Sequence, residues 1–171
     1  MKTRKLAIIV SFVFLFAVSA FAQSDFSDPS VDYTFSLPDD DWKLSSKPSD
    51  VSPNVEYIYK FKNDGFLQVR KIKVEETTLY SEMISQEEQG LQIIPGYVPG
   101  KDENFRGSLS GRVFNYEFVK NGRNMSGRIY FLKADSTTVY VLRFTGEKDK
   151  LRSIRNQTDS IARSFKIKGE E

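Results

Sequence analysis

Apolar and polar residues alternate from Val31 to Leu37, which is the pattern of a β-strand with one buried face. Pro38 ends this strand, and the acidic turn Asp39–Asp41 leads to a short extended segment at Trp42–Leu44. Residues 45–54 are polar and rich in proline and serine, so we expect a loop there. The folded domain is therefore predicted to begin close to Val31.

Two further strands are predicted at Val55–Lys62 and Phe66–Val74, joined by Asn63-Asp64-Gly65, whose residue types tolerate a positive φ. The apolar residues then change from the spacing of a strand to the spacing of a helix. This change predicts an amphipathic helix over Leu79–Leu91 with Thr78 as its N-cap.

The clearest local signal is Asn121-Gly122, the preferred pair for a two-residue hairpin turn. If Lys120 pairs with Arg123, apolar residues of the two strands lie opposite one another on one face. The other face is partly apolar as well, so we expect both faces of the sheet to be covered. The predicted opposite pairs are Phe118 with Met125, Tyr116 with Gly127 and Phe114 with Ile129 on one face, and Glu117 with Ser126, Asn115 with Arg128 and Val113 with Tyr130 on the other.

The C-terminal part of the chain predicts one more strand and a second helix. Thr138–Phe144 is rich in β-branched and aromatic residues, and we expect Gly146 to end the sheet. Glu147–Phe165 has helical periodicity, residues 166–168 can add a short strand, and 169–171 are predicted to be a disordered tail. These elements predict an α+β fold with a central antiparallel sheet of about six strands flanked by helices.

A long connection, residues 92–107, separates the first helix from the hairpin. It holds Ile93, Ile94, Tyr97 and Val98 among two prolines and three glycines. Connections of this length usually bind a partner or pack onto the domain body. The sequence leaves both alternatives open, so these four residues are interpreted as a tentative partner-binding loop.

The first 22 residues have the organisation of a cleavable secretory signal. Basic Met1–Lys5 precedes the apolar run Leu6–Val18, and the small residues of Ser19–Ala22 predict cleavage between Ala22 and Gln23. A retained membrane anchor is the alternative, but the run is shorter than the roughly 20 apolar residues of a spanning helix, so a cleaved signal is favoured. We expect no membrane span after cleavage.

Removal of this signal changes the charge of the chain. It leaves 149 of the 171 residues, which we expect to form a flexible leader at 23–30 and a single domain at 31–168. Three of the 25 basic residues leave with the signal, and the remaining 22 face 23 acidic residues, a net charge of −1. This balance argues against nucleic acid as a partner.

Four features of the chain, in this order, resemble the PsbP/Mog1/DcrB-like superfamily. They are a first strand ending in Tyr33–Pro38 and followed by Trp42, a mid-chain helix, an aromatic hairpin, and a last helix ending in Ile161–Phe165. The resemblance covers essentially the whole mature domain. It implies an α/β/α sandwich around a central antiparallel sheet. Members of that superfamily include an extrinsic photosystem II subunit, a small-GTPase-binding protein and envelope proteins, so the resemblance implies fold more than function.

The chain contains no histidine and no cysteine, which excludes Ser-His-Asp and Cys-His catalysis, zinc sites built on those residues, and disulfides. Carboxylates remain: Glu75-Glu76 and Glu87-Glu88 could supply a glycosidase pair, and Asp39–Asp41 could bind calcium. Adjacent acids are more typical of a solvated surface. We therefore predict no catalytic, metal-binding or cofactor-binding residue.

Two other groups of residues have competing interpretations. Trp42 could stack on a ligand, but a core anchor beside the first strand is favoured. Arg123, Arg128 and Arg143 could form a basic patch, but cross-strand pairing with Glu117 and its neighbours is favoured.

Together these observations favour an exported, non-enzymatic binding or accessory domain in a bacterial periplasm or the extracellular space. Its expected partner is another envelope or extracellular protein. A carboxylate-based enzyme or small-ligand carrier is one alternative, and a structural or stress protein of the envelope is another.

Overall fold

The computed structural model describes residues 24–49 and 51–169, which form ten strands and three helices. The strands are β1 (Ser24–Ser27), β2 (Tyr33–Leu37), β3 (Trp42–Ser46), β4 (Val55–Tyr59), β5 (Gly65–Lys73), β6 (Val98–Arg106), β7 (Ser110–Lys120), β8 (Arg123–Lys133), β9 (Thr138–Glu147) and β10 (Lys166–Ile167). The helices are α1 (Tyr80–Leu91), α2 (Lys148–Ser153) and α3 (Arg155–Ser164).

Two antiparallel sheets organise these elements. The larger sheet has seven strands in the order β3-β4-β5-β9-β8-β7-β6, and the smaller one has three in the order β1-β2-β10. The α+β class and the antiparallel central sheet expected from the sequence are confirmed. The predicted signal peptide and its cleavage point between Ala22 and Gln23 lie outside the described residues.

The hairpin of β7 and β8 has the register predicted from its turn. Asn121 and Gly122 both have positive φ, 51° and 72°, as a type I′ turn requires. Lys120 pairs with Arg123, and Tyr116 lies opposite Gly127. The five remaining predicted pairings hold as well, because a two-residue turn leaves the strands a single register.

Helix α1 packs on one face of the seven-stranded sheet. Its buried residues Met83, Ile84 and Leu91 join a core cluster that includes Phe114 and Ile129 of the hairpin. The helix begins one residue later than predicted: Leu79 is the N-cap in place of Thr78, and its backbone N–H donates to the side chain of Glu82 at 2.9 Å.

The opposite face of the large sheet is covered by the small sheet, α2 and α3. Phe35, Ile161 and Phe165 pack there with Tyr130 and other residues of the large sheet, all of them almost fully buried. Both sheet faces are thus covered, which gives the α/β/α arrangement that the resemblance implied.

Two strands were not predicted, and both correct the sequence interpretation. Ser24–Ser27 pairs with β2 and buries Phe26, so this part of the expected flexible leader 23–30 is strand β1. Residues 98–106 of the expected loop form β6, the edge strand of the large sheet. Only Phe105 of β6 is buried, so no alternation of apolar residues marks it in the sequence.

Two boundaries near the C-terminus also differ from the prediction. Strand β9 continues through Gly146 to Glu147. The single helix expected over Glu147–Phe165 is divided at Ile154, whose φ of −102° and ψ of 16° leave helical geometry. The N–H of Ile154 still donates to backbone carbonyls of the preceding turn. The helical spacing of apolar residues continues across Ile154, so the sequence pattern does not show where the helix is divided.

Candidate functional site: the 92–98 segment and two grooves

The chain between α1 and β6, which we call the 92–98 segment, is held by backbone hydrogen bonds. The N–H of Ile94 donates to the carbonyl of Leu91 at 2.9 Å, and that of Tyr97 donates to the carbonyl of Ile94 at 3.2 Å. The N–H of Val119 in β7 donates to the carbonyl of Pro95 at 2.7 Å. The segment is therefore an anchored turn at the end of the hairpin.

The four residues of the tentative partner-binding loop divide into two pairs. Ile94 and Tyr97 are partly buried and pack against the α1 core. The Tyr97 hydroxyl donates to Glu88 at 2.7 Å, and burial together with this hydrogen bond raises the pKa of the phenol. Ile93 and Val98 instead have exposed fractions of 85% and 55%. One pair thus fixes the segment and the other presents apolar surface to solvent.

A groove of about 400 Å³ lies between the start of β6 and helix α2, and we call it the α2 groove. Val98 lines one side, Leu151 and Arg155 line the other, and the buried Arg128 lies within it. The exposed side chain of Val98 is therefore continuous with a concave surface.

Arg128 is the centre of a buried polar network in this groove. Its guanidinium donates to the Tyr130 hydroxyl at 2.6 Å, to Asn115 at 2.7 Å and to Asp159 at 2.8 Å. The Tyr130 hydroxyl donates to the same Asp159 oxygen at 2.5 Å, and burial raises the pKa of Tyr130. Because the charge is paired and the polar atoms are bonded, this network ties α3 to the sheet.

A second groove follows the side of α1, and we call it the α1 groove. It consists of two adjoining spaces of about 510 and 370 Å³ that share Leu91, Ile94 and Arg143 as lining residues. The 92–98 segment therefore borders this groove through Ile94.

Two arginines on neighbouring strands share one carboxylate in the α1 groove. Arg70 of β5 donates to one oxygen of Glu87 at 2.6 Å, and Arg143 of β9 donates to the other. The Nε atoms of both arginines are buried, and neither has a hydrogen-bond acceptor among the described residues. The triad leaves one positive charge without a partner carboxylate.

These pairings correct the partners expected for the three arginines considered from the sequence. Glu117 binds Lys148 at 2.7 Å and none of the arginines. Ion pairs instead join Arg123 to Glu147, Arg128 to Asp159 and Arg143 to Glu87. Cross-strand geometry placed Arg128 beside Asn115 as expected, but the acidic partners come from the helices and the end of β9.

Trp42 lies in the core with an exposed fraction of 3%, as the favoured interpretation predicted. Its indole N–H donates to Gln157 of α3 at 2.8 Å, and the amide of Gln157 donates to Asp39 at 2.8 Å. The acidic turn is thus tied to α3, and Asp41 pairs with Lys60 at 3.2 Å. Residues 24–49 and 51–169 contain no cluster of three or more metal-binding side chains.

The paired glutamates considered as a glycosidase site lie in different surroundings. Glu75 and Glu76 are exposed. Glu87 and Glu88 are half-buried, and each is already bonded, Glu87 to two arginines and Glu88 to Tyr97.

Structural comparison identifies the fold. The chain superposes on Mog1p, a Ran-binding protein of Saccharomyces cerevisiae, with a TM-score of 0.62 and 8% identity over 86% of this chain and 96% of that one. The cyanobacterial PsbP of Synechocystis matches with a TM-score of 0.57 and 14% identity over 88% and 95% of the two chains. This chain has the PsbP/Mog1-like fold.

A third match is LpqN of Mycobacterium tuberculosis, which is involved in cell envelope biogenesis. It has a TM-score of 0.54 and 17% identity over 85% of this chain and 91% of that one. At such identities the PsbP/Mog1-like likeness establishes the fold, and function must be argued from the surface. No protein-family model and no curated protein sequence matches the chain. Within the described part, none of the helices is long and apolar enough to cross a membrane.

Proposed function

We propose that this protein is an exported, non-enzymatic accessory domain that binds another protein of the cell envelope through Ile93 and Val98. The observation that carries the proposal is the exposure of these two apolar side chains on either side of an anchored turn. A contact surface that is already ordered loses little conformational entropy when a partner binds.

The similar structures support a role in binding. LpqN is involved in cell envelope biogenesis, and Mog1p is a Ran-binding protein. Both share this fold at low identity, so they support the class of function and leave the partner to be identified by experiment.

The edge strand β6 favours side-chain contact over strand addition as the mode of binding. Pro99 lacks a backbone N–H, the register shifts between Pro99 and Asp102, and Lys101 and Glu103 add charges. Each of these features discourages another strand from pairing with the edge. The exposed apolar side chains next to β6 are then the surface that a partner would cover.

Cross-linked pull-down of the mature protein from an envelope fraction, with the captured proteins quantified by mass spectrometry, tests this proposal. Burying an exposed aliphatic side chain contributes roughly 1.5–3 kcal/mol, so Ile93→Ser with Val98→Ser should lower recovery of the partner about tenfold or more. Val51→Ser is the matched control, because Val51 is an exposed apolar residue with an exposed fraction of 95%.

Recovery of the same envelope protein by the wild type and by the Val51→Ser control, but not by the double variant, is the expected result. Equal recovery by the double variant, or no specific partner for the wild type, would contradict the proposed function.

A further inference from the structure

The α1 groove concentrates positive charge on a chain that is close to neutral. The whole chain has a formal net charge of +2. Among the described residues that line the groove, Glu87 is the one acid. The cations that line it are Lys62, Arg70, Lys73, Lys120 and Arg143.

The donors of the two central arginines are mostly unused. A guanidinium carries five N–H donors, and Arg70 and Arg143 each make one hydrogen bond, both to Glu87. The side chains of these arginines keep exposed fractions of 28% and 27%, so part of each guanidinium is open to the groove. Nearby Lys73 donates to the hydroxyl of Thr138 at 2.6 Å and not to an acid. An anion in the groove would meet several charge-assisted donors.

The same groove has an apolar wall. Lys62 lies 5.3 Å above the ring of Phe66, at the end of the groove away from Lys73. The combined volume lies within the range of ordinary ligand pockets. The apolar residues that line the smaller of its two spaces are Phe66, Leu91, Ile94, Tyr116, Phe118 and Met125.

The α2 groove provides an internal comparison. Its cations have acidic partners: Arg128 pairs with Asp159, Lys148 with Glu117, Arg152 with Asp149 and Arg155 with Glu103. Its lining residues also include four cations and one acid, Glu117, but each of these cations is paired with an acid. Lys62, Lys73 and Lys120 of the α1 groove have no acidic partner among the described residues. Unpaired charge, and not concavity alone, distinguishes the α1 groove.

We propose that the α1 groove binds an anionic amphiphile, a molecule with a carboxylate or phosphate head and an apolar chain. The head group lies at Arg70 and Arg143, where it accepts hydrogen bonds and balances the charge that Glu87 leaves unpaired. The apolar chain lies along Leu91 and Phe118. This site is separate from Ile93 and Val98, and it would act in addition to the proposed protein contact.

Titration of the ¹⁵N-labelled mature protein, followed by amide chemical shifts, tests the ligand chemistry. The probes are octanoate, octyl phosphate, uncharged octanol and inorganic phosphate. We expect saturable shifts at Gln68, Gly90 and Thr145 with one or both of the anionic amphiphiles, and at least about tenfold weaker binding of octanol and inorganic phosphate. The octanoate and octyl phosphate arms distinguish a carboxylate ligand from a phosphate ligand.

Absence of saturable shifts with both anionic probes would overturn the proposal. Binding of octanol as tight as that of the anions would also overturn it, because the arginines would then contribute nothing.

Three charge variants locate the site. Arg143→Gln should weaken binding of the better anion about tenfold, since it removes one charge-assisted donor group. Lys62→Gln with Lys120→Gln should weaken binding severalfold while leaving the Arg70–Glu87–Arg143 triad intact, so it tests the proposal even if Arg143→Gln unfolds. Arg152→Gln, which removes an exposed cation of the α2 groove, is the matched control.

Binding that falls equally in Arg152→Gln and in the groove variants would show a non-specific charge effect and refute the site. Unchanged binding in the groove variants would refute it as well. Ile93→Ser with Val98→Ser should bind the anion normally, so a failure of the proposed protein contact and a failure of this site are distinguishable.

Discussion

Replacement of Gly127 by alanine tests the packing of the hairpin on the α1 side of the sheet. Gly127 lies opposite Tyr116, and the ring of Tyr116 covers the position that a side chain would occupy. A Cβ atom at Gly127 would lie 2.0 Å from Cζ of Tyr116 and 2.4 Å from its hydroxyl oxygen. Real Cβ atoms do not approach other atoms so closely, so the ring must move.

The displaced ring has little room. Tyr116 has an exposed fraction of 2%, and burial raises the pKa of its phenol to about 12. Its ring stacks on Phe114 at 6.1 Å and on Phe118 at 5.8 Å, so movement along the strand pushes other core residues. Overpacking of this kind costs about 1–3 kcal/mol.

The effect of the substitution on the unfolded chain changes the free energy of unfolding by a smaller amount and in the opposite direction. Alanine restricts the unfolded ensemble relative to glycine and stabilises the folded state by about 0.4–1 kcal/mol where the backbone permits it. We therefore expect Gly127→Ala to lower the free energy of unfolding by about 1–2 kcal/mol. Urea unfolding followed by the fluorescence of Trp42 and by far-UV circular dichroism measures this difference.

A second variant and a control isolate the cause. In a Tyr116→Leu background the clash with the phenol ring is gone, so Gly127→Ala should cost little or stabilise. Gly90→Ala is the control: no atom lies within 4 Å of its Cβ position in α1, and it should stabilise by about 0.5–1 kcal/mol. If Gly127→Ala is as stable as the wild type while Tyr116 is present, the reasoning is refuted.

Two further predictions concern Trp42 and Asp32. The fluorescence of the single tryptophan, Trp42, should be blue-shifted and shielded from acrylamide in the folded protein, and quenching like that of free tryptophan would contradict its place in the core. Burial opposes the charge of Asp32, but hydrogen bonds from Lys71 and Tyr140 outweigh it and lower its pKa below 3.8. The ionised form therefore favours the folded state, and this contribution is complete above the ordinary pKa and is lost as the pH falls through the folded-state pKa. Urea unfolding should show that Asp32→Asn is destabilising at neutral pH and that its difference from wild type shrinks as the pH falls below the ordinary aspartate pKa; a difference that stays constant with pH would contradict the assignment.

The parts of the fold that depend on short-range pattern were predictable. The turn Asn121-Gly122 determined the register of ten paired positions in the hairpin, because a two-residue turn allows one alignment. The edge strand β6 was not predictable in this way. Phe105 is the one buried residue among its nine, so its pairing with β7 depends mainly on backbone hydrogen bonds, which leave no apolar pattern.

The candidate sites show the same difference between features marked by a local pattern and features formed by tertiary contacts. The apolar residues of the 92–98 segment are conspicuous in the sequence, but only the structure separates the anchoring pair from the exposed pair. The Arg70–Glu87–Arg143 triad was missed because its members are separated by 17 and 56 positions. No local pattern marks residues that meet only when α1 packs across β5 and β9.

The sequence by itself determined the α+β class, the hairpin register, the positions of most strands and the absence of histidine and cysteine chemistry. These properties follow from residue type and from periodicity over a few residues. Tertiary structure alone decided which cations have acidic partners and where charge remains unbalanced. Burial and ion pairing depend on distances between residues far apart in the chain, and those distances exist only after the sheet and helices have packed.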